Sequence, residues 1–253
     1  MTKTDRVEMA RRALACLDLT NLDDDCTSAD IEALCARAQT AHGPVAAVCI
    51  WPRFVAQAKT LLAGTPVRIA TVVNFPGGDK AIEEIVGEVD QAMVDGADEI
   101  DMVVAYRWIA DRHTEAAAQL IQVREAAHGA TLKAILETGE LKSEELIRAA
   151  ATLAILIGAD FSKTSTGKPP VNAPPEAAAI MLSVIAERDG KAGFKAAGGI
   201  RTLDDAAVYL DLADKILGPD WVSPKTFRFG ASGLLDALLA ELEGRSAEPA
   251  KGY

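Results

Sequence analysis

From residue 45 onward, short runs of β-branched and apolar residues alternate with longer stretches whose apolar positions recur at helical spacing. That alternation predicts repeated βα units on a parallel sheet. The strand-like runs fall at 45–51, 68–75, 99–106, 131–138, 161–166, 193–199, 215–217 and 227–230. Eight such units predict an α/β fold, a single closed (β/α)8 TIM barrel rather than an open sheet. Between the runs, Ile82, Ile85, Val86, Val89 and Met93 make one apolar helical stripe. Leu146, Ile147, Ala150, Leu153, Ala154 and Ile157 make another, behind a Ser143 cap. Thr202 and Ser232 read as caps of helices that follow the sixth and eighth runs. Residues 1–44 read as an N-terminal helical segment and 244–253 as a flexible polar tail, with no linker or repeat between them, so 1–253 is expected to be one domain.

The strand runs break their own rule in four consecutive places. A parallel strand covered on both faces should be almost continuously hydrophobic, yet Asp101, Lys133, Lys163 and Lys195 each sit about three residues into a run. Similar depth on neighbouring strands predicts one shared ring inside the barrel. Isolated ammonium groups cost several kcal/mol to bury. Pairing with Asp101 offsets that cost, and an excess of lysines is expected to lower at least one lysine pKa. A neutral lysine amine adds to an aldehyde to give an iminium ion, an electron sink for breaking the neighbouring C–C bond. This is class I aldolase chemistry; the competing possibility is an ion-pair network that only fills the barrel. Side-chain chemistry alone does not choose between Lys163 and Lys195 as nucleophile. His42, His113 and His128 do not fall at strand ends, which speaks against a converging metal site.

Glycine-rich segments follow the late runs, at Thr164-Ser-Thr-Gly-Lys168, Ala197-Gly-Gly-Ile-Arg201 and Phe229-Gly-Ala-Ser-Gly233. Backbone amides and helix N-termini in such places bind phosphate in barrels, so a phosphorylated substrate is expected. Composition adds constraints. The chain of 253 residues carries 37 acidic against 26 basic residues, a net charge of −11, which disfavours nucleic acid and anionic membranes as partners. The four cysteines, Cys16, Cys26, Cys35 and Cys49, include no C-x-x-C pair and fit reduced thiols. With neither a signal-peptide pattern nor an 18-residue apolar stretch, the protein is expected to be soluble and cytoplasmic.

The segments Leu17-Asp-Leu-Thr20, Val48-Cys-Ile-Trp-Pro-Arg53, Thr71-Val-Val-Asn-Phe-Pro76, Gly96-Ala-Asp-Glu-Ile-Asp101, Glu137-Thr-Gly-Glu-Leu141, Phe161-Ser-Lys-Thr-Ser-Thr-Gly-Lys168, Gly193-Phe-Lys195 and Arg228-Phe-Gly-Ala-Ser232 span nearly the whole chain. In this order the sequence resembles the deoxyribose-phosphate aldolase family. The resemblance implies reversible cleavage of 2-deoxy-D-ribose 5-phosphate to D-glyceraldehyde 3-phosphate and acetaldehyde, with no metal or organic cofactor. It implies Lys163 as the Schiff-base lysine, with Asp101 and Lys195 moving protons. By similarity the phosphate site uses Gly167, Lys168, Gly198, Gly199, Gly230, Ser232 and Gly233, while Asp18 and Thr20 line the sugar pocket. Tyr253 matches a C-terminal tyrosine that relatives fold over the site as a proton shuttle, and a homodimer is common among similar proteins. Trp51, Ala105, Pro169-Pro170, Ala196 and Gly233 depart from the family pattern beside the ring, not in it. Two other readings stay open: another lysine-dependent barrel aldolase or transaldolase, and a catalytically silent sugar-phosphate-binding barrel.

Overall fold

The computed structural model describes residues 2–245. Eight parallel strands close into a barrel: β1 Leu17–Asn21, β2 Ala47–Ile50, β3 Arg68–Val73, β4 Glu99–Val103, β5 Thr131–Ile135, β6 Phe161–Lys163, β7 Gly193–Ala197 and β8 Phe227–Ala231. Each pairs with its neighbours in chain order and β8 returns to β1. The helices are α1 Lys3–Ala15, α2 Ser28–Arg37, α3 Val55–Leu61, α4 Ile82–Asp95, α5 His113–Ala126, α6 Thr138–Leu141, α7 Glu144–Ile157, α8 Pro175–Ala186, α9 Leu203–Leu217 and α10 Leu234–Leu242. A small hairpin pairs Gln39–Thr40 with Gly43–Pro44. Among the described residues no helix is long and apolar enough to cross a membrane.

The strand assignment is corrected in two places. Residues 215–217 are the last turn of α9, not a strand. Their short apolar run continues the buried stripe Leu203, Ala206, Leu210 and Ala213, and three residues are too few for periodicity to separate strand from helix. The missing barrel strand is β1, inside the segment read as helical. Its inward positions are Asp18 and Thr20, so it lacks the apolar continuity that marks the other strands. Along the chain it is flanked by α1 on one side and by α2 and the hairpin on the other. Several strands also end earlier than their apolar runs, because the last residues turn into loops on the C-terminal face. Asn74 and Glu137, at φ 54° and 53°, make two of those turns.

The hydrophobic core lies between sheet and helices. Outward-facing Phe194, Phe227 and Phe229 are fully buried, with Phe227 and Phe229 in edge contact at 4.9 Å. Met181, Leu182, Ile185 and Leu210 cover β7 and its neighbours from α8 and α9. Truncating one of these to alanine would cost about 2–5 kcal/mol. Thr202 caps α9 through the Asp205 amide, in a reciprocal capping box, and Ser143 caps α7 through the Leu146 amide. Ser232 does not cap α10: Gly233 holds the cap position and supplies no side chain. All of the tail beyond Arg245, including Tyr253, lies outside the described residues.

Candidate active site

Side chains alternate along a strand, so the inward positions of β4 to β8 meet inside the barrel. Asp101 and Lys133 are register partners across β4 and β5, and Lys163 and Lys195 across β6 and β7. One carboxylate gathers all three amines. Asp101 Oδ1 accepts from Lys133 Nζ at 2.6 Å, and Oδ2 accepts from Lys163 Nζ and Lys195 Nζ, each at 2.8 Å.

Three further side chains, Asp18, Glu99 and Arg228, join the cluster. Asp18 Oδ2 accepts from Lys195 Nζ at 2.5 Å and its Oδ1 accepts from Arg228 Nη1 at 2.6 Å. Glu99 accepts from Arg228 at 2.8 and 3.1 Å and stands 2.6 Å from Lys133 Nζ. Asp18, expected to line the sugar pocket, is fully buried in this cluster. Glu99 and Arg228 carry no role in the sequence reading, although the period of two was there to find them: Glu99 is two residues from Asp101, and Arg228 two from Gly230.

Three lysines and an arginine thus face three acidic side chains, not three lysines facing one. This alters the electrostatics expected from the sequence. Burial opposes the charged form of Lys195, but Asp101 and Asp18 outweigh it and hold the amine above its ordinary value. At Lys133, burial is likewise overcome by Asp101 and Glu99, and its pKa is raised. Burial would raise the pKa of Asp18, yet Lys195, Arg228 and Lys133 together drive it down. Asp101 is held well below the ordinary range against burial, by Lys133, Lys163 and Lys195. A lysine excess therefore does not lower Lys133 or Lys195. Cys49 lies 4.0 Å from Asp101 Oδ2, and burial pushes its thiol up, which suits a packing residue.

The three ring lysines differ in access. Lys133 and Lys195 are 0% exposed, whereas Lys163 is 3% exposed and lines an opening at the C-terminal mouth of the barrel. Among the described residues Lys163 has one carboxylate contact, while Lys195 has two. Thr20, Gly167, Gly198, Gly199, Gly230 and Ser232 line the same opening. A larger cavity of about 570 Å³ occupies the opposite, N-terminal end, between Arg11, Arg68, Glu99 and Arg228, away from the Lys163 amine.

Backbone geometry explains the glycines. A Cβ on Gly230 would lie 2.9 Å from Lys195 Cε, so the β8 backbone must be bare for that amine to reach Asp101. Gly198, at φ 91°, turns the chain where a Cβ would strike Asn172. The Gly167 amide donates to Ser165 Oγ at 2.8 Å, so it is engaged within its own loop. Lys168 Nζ donates to the Leu22 carbonyl at 2.9 Å and stands 3.6 Å from Asp24, bridging the loops after β6 and β1. Beside it, Trp51 donates its indole N–H to the Asp23 carbonyl at 3.0 Å. The first turn of α10 has no side-chain cap and begins next to Ser232 at the opening.

Residues 12–238 match the model of the DeoC/LacD family aldolases. The chain belongs to that family. It is 54% identical over 250 residues to the deoxyribose-phosphate aldolase of Agrobacterium fabrum, covering 97% of this chain and 96% of the relative. A solved structure of a candidate deoxyribose-phosphate aldolase from Coccidioides immitis is 33% identical, with a TM-score of 0.81, over 91% of this chain and 85% of that one. A candidate deoxyribose-phosphate aldolase from Toxoplasma gondii, solved without ligand, is 25% identical with a TM-score of 0.85, over 96% and 99% of the two chains. The aldolase assignment accords with a barrel in which one lysine of a buried ionic ring, Lys163, borders the opening at the C-terminal mouth.

Proposed function

We propose that this enzyme reversibly cleaves 2-deoxy-D-ribose 5-phosphate to D-glyceraldehyde 3-phosphate and acetaldehyde, with Lys163 as the Schiff-base lysine. The observation that carries the role of Lys163 is its position: of the three ring lysines it alone lines the C-terminal opening, while still contacting Asp101. Attack on C1 of the open-chain sugar requires the unprotonated amine. The resulting carbinolamine loses water to give an iminium ion, with Asp101 and Lys195 passing protons over the 2.8 Å contacts that join them to each other and to Lys163. Removal of the C3 hydroxyl proton then breaks C2–C3, and the bonding pair moves into the iminium to form an enamine. Glyceraldehyde 3-phosphate leaves. Protonation of the enamine carbon and addition of water release acetaldehyde and restore the amine.

Phosphate is best accommodated by the turn at Gly198 and Gly199 and by the start of α10, where backbone amides of a first helical turn and the helix dipole favour an anion. Thr20, whose hydroxyl donates to the Asp18 carbonyl at 2.8 Å, borders the sugar end of the opening. A symmetric homodimer is our reading of the assembly, since two-fold pairs are the commonest. Four free cysteines, all buried, support a reducing, cytoplasmic setting.

The test is an assay of glyceraldehyde 3-phosphate release from 2-deoxyribose 5-phosphate by the wild type and Lys163→Leu. Turnover by the wild type and none by the variant supports the reading; a variant of near-normal activity refutes the role of Lys163, and an inactive wild type refutes the substrate.

A further inference from the structure

Glu137 follows β5 and is 1% exposed, yet the only hydrogen bonds to its carboxylate among the described residues come from Thr166. The Thr166 hydroxyl donates to Oε2 at 2.6 Å, and the Thr166 amide is shared between both oxygens at 3.3 Å. Its carboxylate has no ion-pair partner among those residues, unlike Asp18, Glu99 and Asp101 in the ring. The local role open to Glu137 is the cap of α6, but its side chain does not make that bond. It instead reaches across to the loop after β6, from a backbone at φ 53° that L-residues avoid.

Thr166 is where this contact touches the chemistry. It lines the opening that holds Lys163 and also the adjoining groove that holds Glu137, so it forms the wall between them. Because its hydroxyl donates to Glu137, its oxygen is left to accept the Lys168 amide at 3.2 Å. The carboxylate therefore sets the direction of both bonds and with them the path of Thr166, Gly167 and Lys168. A neutral amide in its place would offer the Thr166 hydroxyl a donor as well as an acceptor and remove that bias.

We propose that Glu137 is a positioning residue for the phosphorylated sugar, acting through Thr166 to hold the loop after β6 against the opening. The proposal rests on the reading that this opening takes a sugar phosphate. Misplacement of a binding wall is read mainly in substrate affinity, with an effect of about tenfold or more.

The test measures kcat and KM for 2-deoxyribose 5-phosphate and for unphosphorylated 2-deoxyribose with the wild type, Glu137→Gln, Thr166→Val and the double variant. Each single change is expected to lower the preference for the phosphorylated sugar by about tenfold, mainly through KM, and the double variant to lose no more than either single one. Equal losses on both sugars, additive losses in the double variant, or an unchanged preference would overturn the role of Glu137. Thr166→Val keeps the test decisive should Glu137→Gln not fold. A wild type that turns over the sugar phosphate without preferring it would overturn the phosphate reading itself, a result distinct from any behaviour of the variants.

Discussion

Lys163 and Lys195 stand opposite each other across adjacent parallel strands and donate to the same oxygen, Asp101 Oδ2, each at 2.8 Å. Their surroundings separate them. Lys195 has a second carboxylate, Asp18, at 2.5 Å and no exposure, whereas among the described residues Lys163 pairs with Asp101 alone and borders the opening. Lys195→Met should therefore reduce kcat by about 10²–10⁴-fold, the usual worth of a placed proton donor or acceptor. Covalent capture of aldehyde at Lys163 should persist, more slowly. Steady-state rates measured beside trapping would expose an error if Lys195→Met abolished capture while leaving the Asp101–Lys163 contact in place.

Asp101 is the one carboxylate common to the three lysines, so Asp101→Asn should damage both stability and turnover. Removing one partner of a buried ionic cluster leaves charge uncompensated, at about 3–5 kcal/mol. Urea unfolding should show that loss as a lower midpoint, and activity should fall with it. An Asn variant of wild-type stability would contradict the charge-balanced ring.

The ring also sets a pH window. Asp18 and Asp101 have depressed pKa values when folded, so their contribution is present above the ordinary 3.8 and disappears as pH falls below it. Lys133 and Lys195 are raised, so theirs is present below the ordinary 10.5 and disappears as pH climbs above it. Thermal unfolding against pH should show a plateau between these limits and a steep acid loss. Because the pairs are buried, added salt should change the plateau little. A stability maximum confined to mildly acid pH would contradict the assignment.

Gly230→Ala is predicted to act through Lys195. The new Cβ would come within 2.9 Å of Lys195 Cε and must displace it or the β8 backbone. A shift of this kind commonly costs about 10²-fold in rate. Comparing kcat with phosphate-analogue affinity would separate displacement of Lys195 from damage to the glycine loops: the account expects the larger effect in kcat.

Much of this was legible in the chain, for specific physical reasons. Lysines in apolar strands violate the composition of a covered parallel sheet, and that violation exposed Asp101, Lys133, Lys163 and Lys195. The same rule hid β1, whose inward Asp18 and Thr20 break up its apolar run, and it misassigned 215–217, where a helix ends on three residues of strand-like character. Glu99 and Arg228 sit at the N-terminal ends of their strands, where charge attracts no notice until the register brings them to Asp18 and Lys133. The contact between Glu137 and Thr166 joins residues 29 apart through a left-handed turn, which neither periodicity nor spacing encodes.

The central claim is that Lys163 is the amine that forms the carbon–nitrogen bond. The most direct measurement is peptide mass spectrometry of the full-length protein after acetaldehyde and borohydride, alongside Lys163→Leu and Lys195→Met. The account predicts a reduced ethyl adduct on the peptide containing Lys163 in the wild type and in Lys195→Met, and none at this site in Lys163→Leu. An adduct confined to Lys195, or no adduct on folded wild-type protein, would contradict it.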